Sequence, residues 1–219
     1  MLAKELINHN IPALQLNDKV SKALGLLNDF HLANLPVVSN DNFIGIISET
    51  DLLDSDIDNT IESLQDNFVN AFVPSTEHFL KAVSASIQYD TTIVPVINSS
   101  LEYEGSITVS DLLKTLGNFT GAGEIGGLIV LEMNRSQFAI SEISRIVESN
   151  NCTILHLNTT TSSITGLLTV TIHTNKKEID SVIATFERYD YTVVYSYGNE
   201  KSSDEINSNY QNLMSYLSI

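Results

Sequence analysis

Hydrophobic and polar positions along the chain predict two regions of mixed helix and strand. In the first region, helical stretches carry apolar residues every three or four positions, as in Val20, Ala23, Leu27 and Phe30. Short apolar strands lie between these helices. The order strand, helix, strand, strand, helix occurs twice within residues 1–118. The pattern therefore predicts a duplicated domain of the α/β (α+β) class.

The duplication is also visible in the residues themselves. Gly45-Ile-Ile-Ser-Glu-Thr-Asp51-Leu-Leu53 returns sixty positions later as Gly105-Ser-Ile-Thr-Val-Ser-Asp111-Leu-Leu113, with five positions identical. An apolar strand that contains a proline precedes each copy, as Leu35-Pro36-Val37-Val38 and as Val94-Pro95-Val96-Ile97.

This paired order of strand, turn and Gly-apolar-apolar-Ser/Thr-x-x-Asp resembles a tandem pair of CBS domains. The resemblance covers residues 1–118 and divides them into module 1 (1–62) and module 2 (63–118). It implies two modules packed about a pseudo-twofold axis, with two clefts that often hold adenosine nucleotides. The candidate ligand-binding residues that it implies are Ser48, Asp51 and Val37 in module 1, and Thr108, Asp111 and Val96 in module 2.

The serine or threonine and the aspartate of each copy have two possible roles. A carboxylate at the first turn of a helix can accept hydrogen bonds from both ribose hydroxyls, while the hydroxyl and free backbone N–H groups face a phosphate. The spacing is also close to that of a capping box, in which the same side chains satisfy the N-terminal amides of the helix. Capping alone accounts for all four residues, so both interpretations stay open.

A glycine-rich stretch separates the first region from the second. Five glycines lie between Gly117 and Gly127, and we assign residues 119–127 to a linker. Beyond it the pattern βαββαβ over residues 128–198 predicts a ferredoxin-like arrangement, which resembles an ACT domain. The predicted strands are 128–133, 153–157, 167–173 and 191–197, and the predicted helices are 138–149 and 177–189.

Residues 199–219 have the pattern of a C-terminal amphipathic helix. Ser203 can serve as its N-cap, and Ile206, Tyr210, Leu213 and Leu217 form one apolar stripe. A lone exposed stripe is unfavourable, so we expect it to pack on its own ACT-like sheet or on a second subunit.

Charge and composition exclude several classes of partner. The chain has 219 residues, 42% of them hydrophobic, and a formal net charge of −16. Such a surface repels phosphate backbones and anionic lipid, so we expect neither nucleic acid nor membrane binding. A single cysteine, Cys152, cannot form an internal disulfide, and there is no apolar run typical of a signal peptide. We therefore expect a cytoplasmic protein.

The same charge bears on the ligand and on metals. The module pair contains no arginine, so AMP or a neutral adenosine compound is a better expectation than ATP, unless Mg²⁺ offsets the charge. The acidic run that starts at Asp54 begins like a calcium-binding EF-hand loop. It has Asn59 and Gln65 where that loop needs glycine and glutamate, so we interpret it as a solvated connector and expect no metal site.

Catalytic chemistry is not indicated. No phosphate-binding loop, nucleophile elbow or dinucleotide fingerprint occurs, Cys152 lies in an apolar pattern, and the five histidines lack metal-ligand spacing. The loop at 134–138, where the ACT family often binds an amino acid, has no glycine to allow close backbone approach. We therefore expect neither an enzyme nor a catalytic cofactor.

These observations predict a regulatory protein similar to acetoin-utilisation accessory proteins. An adenosine nucleotide in the CBS clefts would favour one placement of the modules, and the glycine-rich junction would pass this change on. We expect a homodimer and a protein partner of unknown identity. The alternative is a ligand-free dimerisation scaffold whose modules only present surfaces to a partner protein.

Overall fold

The structure, a computed structural model, describes residues 1–198. The C-terminal helix predicted at 199–219 lies outside the described residues. The chain divides into two compact units, Met1–Leu116 and a second unit that begins at Gly117.

The first unit contains the duplicated fold. Each module has a three-stranded sheet, in order β1-β2-β3 or β4-β5-β6, whose first pair is parallel and whose second pair is antiparallel. Module 1 comprises β1 (Leu14–Gln15), α1 (Val20–Phe30), β2 (Asn34–Ser39), β3 (Asn42–Ser48) and α2 (Glu49–Leu53). Module 2 comprises β4 (Val73–Pro74), α3 (Leu80–Tyr89), β5 (Ile93–Ile97), β6 (Tyr103–Thr108) and α4 (Val109–Phe119), which runs past the end of the unit.

Each module core is completed by a segment from elsewhere in the chain. The 3₁₀ turn Ala3–Leu6, with Ile7, packs into the core of module 2. The 3₁₀ turn Ile61–Asn67, with Phe68, packs into the core of module 1. The division at residue 62 stays a prediction. In space the chain exchanges two segments, so that residues 3–7 pack with module 2 and residues 61–68 pack with module 1.

The two modules are joined by buried polar contacts. Asn34, which is buried, accepts hydrogen bonds through Oδ1 from the backbone N–H of Thr92 at 3.0 Å and from its hydroxyl at 3.1 Å. At the other end of the sheets the hairpins pair, with the Tyr103 N–H donating to the Asp41 carbonyl at 2.8 Å. A small apolar cluster that includes Ile46 and Ile93 fills the space between the modules.

The second unit has the predicted βαββαβ order. Its four-stranded sheet is antiparallel in the order β10-β7-β9-β8, which is the ferredoxin-like arrangement. Both helices cover one face, and inward side chains alternate along β9. The elements are β7 (Leu128–Met133), α5 (Ile140–Ser149), β8 (Ile154–Thr161), β9 (Leu168–Thr174), α6 (Asp180–Arg188) and β10 (Thr192–Tyr197).

Candidate functional site

The strand-to-helix corner of module 1 is formed by Ser48 and Asp51. Ser48 is the N-cap of α2, and its Oγ accepts a hydrogen bond from the Asp51 N–H at 3.2 Å while its hydroxyl donates to Asp51 Oδ2. The other carboxylate oxygen, Oδ1, accepts from Nδ2 of Asn67 at 3.1 Å. Each oxygen of the Asp51 carboxylate therefore accepts a hydrogen bond from a protein side chain.

Module 2 repeats the corner with a different partner. Thr108 Oγ1 donates to Asp111 Oδ2 at 2.7 Å and accepts from the Asp111 N–H at 3.0 Å. Here Oδ1 faces the ammonium of Lys114 at 3.6 Å, a distance too long for a strong hydrogen bond. The two predicted Ser/Thr–Asp pairs thus lie at equivalent corners, and both make the capping contacts.

Asp111 also lines an open cleft of about 640 Å³. One wall consists of α4, through Asp111, Lys114 and Thr115, and the other of the N-terminal segment at residues 5–10. That segment brings Glu5 and His9 to the cleft, two residues about a hundred positions away that the sequence reasoning missed. Recognition that the N-terminal segment pairs with β6 would have been needed to find them.

The glycine of each repeated motif allows this segment to approach. Asn8 pairs with Ser106 beside Gly105, which follows a β-bulge and has a φ of +143°. A Cβ at Gly105 would collide with Cγ2 of Ile7, and a Cβ at Gly45 would lie 2.8 Å from Cβ of Phe68. Because neither glycine has a Cβ, the exchanged segments can lie close against the sheets at these two positions.

Two of the predicted ligand residues have another role in this structure. Val37 and Val96 have no exposed surface and lie in the cores of modules 1 and 2. Their strands are buried on both faces, so their side chains pack inward. Their side chains are therefore enclosed in the module cores, and ligand contact through these two residues stays a prediction.

Cys152 is buried within the core of the second unit. Within residues 1–198, no three or more His, Cys, Asp or Glu side chains form a group that could hold a metal ion. No helix in that range is both long and apolar enough to cross a bilayer.

Comparison with known proteins identifies the class of the first unit. Residues 3–58 match the family model of the CBS domain. A CBS domain pair/ACT domain protein from Thermotoga maritima matches in structure with a TM-score of 0.50 at 19% identity, over 54% of this chain and 98% of that one. Residues 3–58 therefore resemble a CBS domain, and the first unit has the fold of a CBS domain pair.

Two further proteins are similar over about half of this chain. A homoserine O-acetyltransferase from Methanobrevibacter ruminantium is 25% identical over 118 residues, which are 52% of this chain and 24% of the relative. The chain thus spans about a quarter of the length of that curated relative. The solved structure of CBSX2 in complex with AMP is similar with a TM-score of 0.46 at 16% identity, over 54% of this chain and 97% of that one.

Proposed function

We propose that this chain is a non-catalytic regulatory protein that binds an adenosine nucleotide of the AMP type beside Asp111. The observation that carries the proposal is the open cleft in which, among residues 1–198, the polar partner of Asp111 Oδ1 is the Lys114 ammonium at 3.6 Å. A carboxylate in this state can still accept hydrogen bonds from a ligand hydroxyl.

The charges along the cleft favour one phosphate over three. Lys114 and His9 are the groups that can attract a phosphoryl group, and Glu5 on the facing segment opposes additional negative charge. A net charge of −16 on the chain acts in the same direction. We therefore propose that the cleft binds AMP more tightly than ATP in the absence of Mg²⁺.

The corresponding corner in module 1 is less suited to a nucleotide. Asn67 occupies Oδ1 of Asp51, so a ribose hydroxyl would have to displace that amide. Asp54 stands where module 2 has Lys114, three residues after the aspartate, and adds negative charge. We propose that the two corners are unequal and that module 2 provides the principal site.

Binding would act through a shift of conformational populations. A nucleotide that contacts both α4 and the N-terminal segment would favour one arrangement of the module pair.

We propose that the second unit is ACT-like, that the protein is a cytoplasmic homodimer with an unidentified protein partner, and that it uses no catalytic cofactor. Its charge also disfavours nucleic acid and membrane partners.

Calorimetric titration of the full chain with adenosine, AMP, ADP and ATP tests the proposal. We expect AMP binding that Asp111→Asn weakens by roughly tenfold or more, as expected for loss of a hydrogen bond to a charged group. The matched control is Asp51→Asn, which removes one charge at the equivalent corner and should change the affinity less than about twofold. Equal effects of the two variants would contradict a principal site in module 2.

The alternative function is a ligand-free dimerisation scaffold. It is favoured by the capping contacts, because Thr108 and Ser48 engage both aspartates without any ligand. A scaffold predicts no heat of binding with any of the four compounds. Under that outcome Asp111→Asn would change stability alone, and a dimer in sedimentation experiments would support the scaffold.

A further inference from the structure

The second unit contains a positively lined cleft on an otherwise anionic protein. The cleft lies between α5 and α6, has a volume of about 350 Å³, and is lined by Arg145 and Arg188 together with uncharged residues. The chain has three arginines in total, so two of the three face this one cleft. No aspartate or glutamate is among the residues that line it.

The serine, asparagine and threonine side chains that line the cleft already donate hydrogen bonds to backbone carbonyls. The Ser149 hydroxyl and the Asn150 amide donate to the Ile146 carbonyl, at 3.0 and 2.8 Å. The Thr185 hydroxyl donates to the Ser181 carbonyl at 2.7 Å. Among the described residues, the side-chain donors that remain for a ligand are therefore those of the two guanidinium groups and the Tyr189 hydroxyl.

Both guanidinium groups have N–H donors that make no hydrogen bond with residues 1–198. Arg145 makes one long hydrogen bond, 3.5 Å from Nη2 to Oε1 of Glu142. The other oxygen of that carboxylate accepts from the Tyr191 hydroxyl at 2.9 Å. The Arg188 side chain makes no hydrogen bond or ion pair with residues 1–198. Each guanidinium has five N–H donors, so most of them are available to an anion.

Arg145 is held at the cleft by an aromatic ring. Its guanidinium carbon lies 5.3 Å from the centroid of the Tyr189 ring, within the range of a cation–π contact. Tyr189 follows directly after Arg188 at the end of α6, so one short segment provides the second cation and the support for the first. Favourable interaction with the helix dipole accounts for Arg188 at the end of α6, but not for Arg145 on the neighbouring helix.

We propose that this cleft is a binding site for a phosphate dianion, either free or as the terminal group of a phosphate monoester. Two guanidinium groups carry two positive charges, and Glu142, which lies 3.5 Å from Arg145, offsets part of one of them. A phosphate dianion can neutralise the charge that remains and can compete with Glu142 for the N–H donors of Arg145. Phosphate also has three unesterified oxygens, enough to accept hydrogen bonds from two planar forks. The site lies wholly within the second unit and does not depend on nucleotide binding beside Asp111.

Titration of the full chain with inorganic phosphate at constant ionic strength tests this proposal. The readout is the NMR signal of each arginine Nε–H group, because three arginines give three signals that can be assigned by substitution. We expect the signals of Arg145 and Arg188 to shift together, with a dissociation constant of about 1 mM or tighter. Arg145→Gln or Arg188→Gln should each weaken binding by roughly tenfold or more.

The matched control is Arg135→Gln, which removes an arginine from the same unit but outside the cleft. It should change phosphate affinity less than about twofold, and Asp111→Asn should leave both arginine signals and their shifts unchanged. Glycerol 3-phosphate should reproduce the shifts of free phosphate, whereas succinate tests a dicarboxylate in place of phosphate. Absence of the shifts, an equal effect of Arg135→Gln, or equally tight succinate binding would overturn the proposal.

Discussion

Substitution of Gly105 by alanine tests how the N-terminal segment completes module 2. Gly105 has a φ of +143°, which side-chain-bearing residues rarely adopt, and a Cβ there would collide with Cγ2 of Ile7. The equivalent Gly45 has no such φ, and its added Cβ would meet only Phe68 closely. Alanine at Gly105 therefore causes both backbone strain and a collision, whereas alanine at the equivalent Gly45 causes only a close contact.

The size of the effect follows from these two causes. Backbone strain in a region reserved for glycine costs about 1–3 kcal/mol, and overpacking by one methyl group costs about 1–3 kcal/mol. Gly105→Ala should therefore lower the free energy of unfolding of the first unit by roughly 2–6 kcal/mol. Gly45→Ala has the overpacking cost alone, about 1–3 kcal/mol.

A double-mutant cycle separates strain from collision. With Ile7→Ala in place, the nearest atoms to a Cβ at Gly105 are Nδ1 of His9 at 3.6 Å and Cβ of residue 7 at 3.8 Å, which are ordinary contacts. The Ile7→Ala and Gly105→Ala substitutions should thus show a favourable coupling of about 1–3 kcal/mol. Backbone strain should remain in the double variant.

The assay is urea unfolding followed by far-ultraviolet circular dichroism. Hydrogen exchange of the β6 amides assigns any loss of stability to the first unit. Displacement of the N-terminal segment should also weaken AMP binding, because that segment forms one wall of the cleft. A cost below about 0.5 kcal/mol for Gly105→Ala, or no coupling with Ile7→Ala, would refute the packing described for this segment.

Three further variants test other contacts. Asn34→Ala removes the acceptor of two Thr92 hydrogen bonds at the module joint, so urea unfolding should show a loss of about 2–3 kcal/mol. Burial and the hydrogen bond to Glu142 raise the pKa of Tyr191 to about 12, so in ultraviolet titration the Tyr191 phenol should ionise about two units above the ordinary tyrosine value. Because the neutral phenol is the favoured form, the associated stability is present below pH 10 and is lost as the pH rises towards 12. Tyr191→Phe should remove this late transition, and its persistence would contradict the assignment. Phe186→Ala should lower the unfolding free energy of the second unit by about 3–5 kcal/mol, since Phe186 is fully buried; a loss below about 1 kcal/mol would contradict its central place in that core.

Element order was predictable because short-range periodicity records which face of each element is buried. The strand at Leu128–Met133 has the predicted bounds. In contrast, β8 continues to Thr161, four residues beyond the prediction, through threonines that carry no hydrophobic signal. Those residues are held in the sheet by pairing with β9, an interaction that local sequence does not encode.

Helix starts were predicted less well than helix positions. Asp18 lies just before α1 but does not cap it, because the helix begins after Lys19 without a side-chain cap. Asp18 instead accepts hydrogen bonds from the Gln15 N–H and from Lys22. Although burial acts in the opposite direction, these hydrogen bonds lower the pKa of Asp18. A short polar side chain before a helix has several backbone and side-chain partners within reach, so its identity alone does not select one.

The sequence by itself determined the duplication, the two strand-to-helix corners and the capping pairs at Asp51 and Asp111. These features depend on residues within a few positions of one another, and the sixty-residue repeat makes them visible. Only the tertiary structure decided which exchanged segment covers each corner, and hence that Asn67 bonds one aspartate while His9 lines the cleft beside the other. It also brought Arg145 and Arg188 to one cleft. The physical reason is that side chains distant along the chain become neighbours only when separate elements pack together to bury their apolar faces.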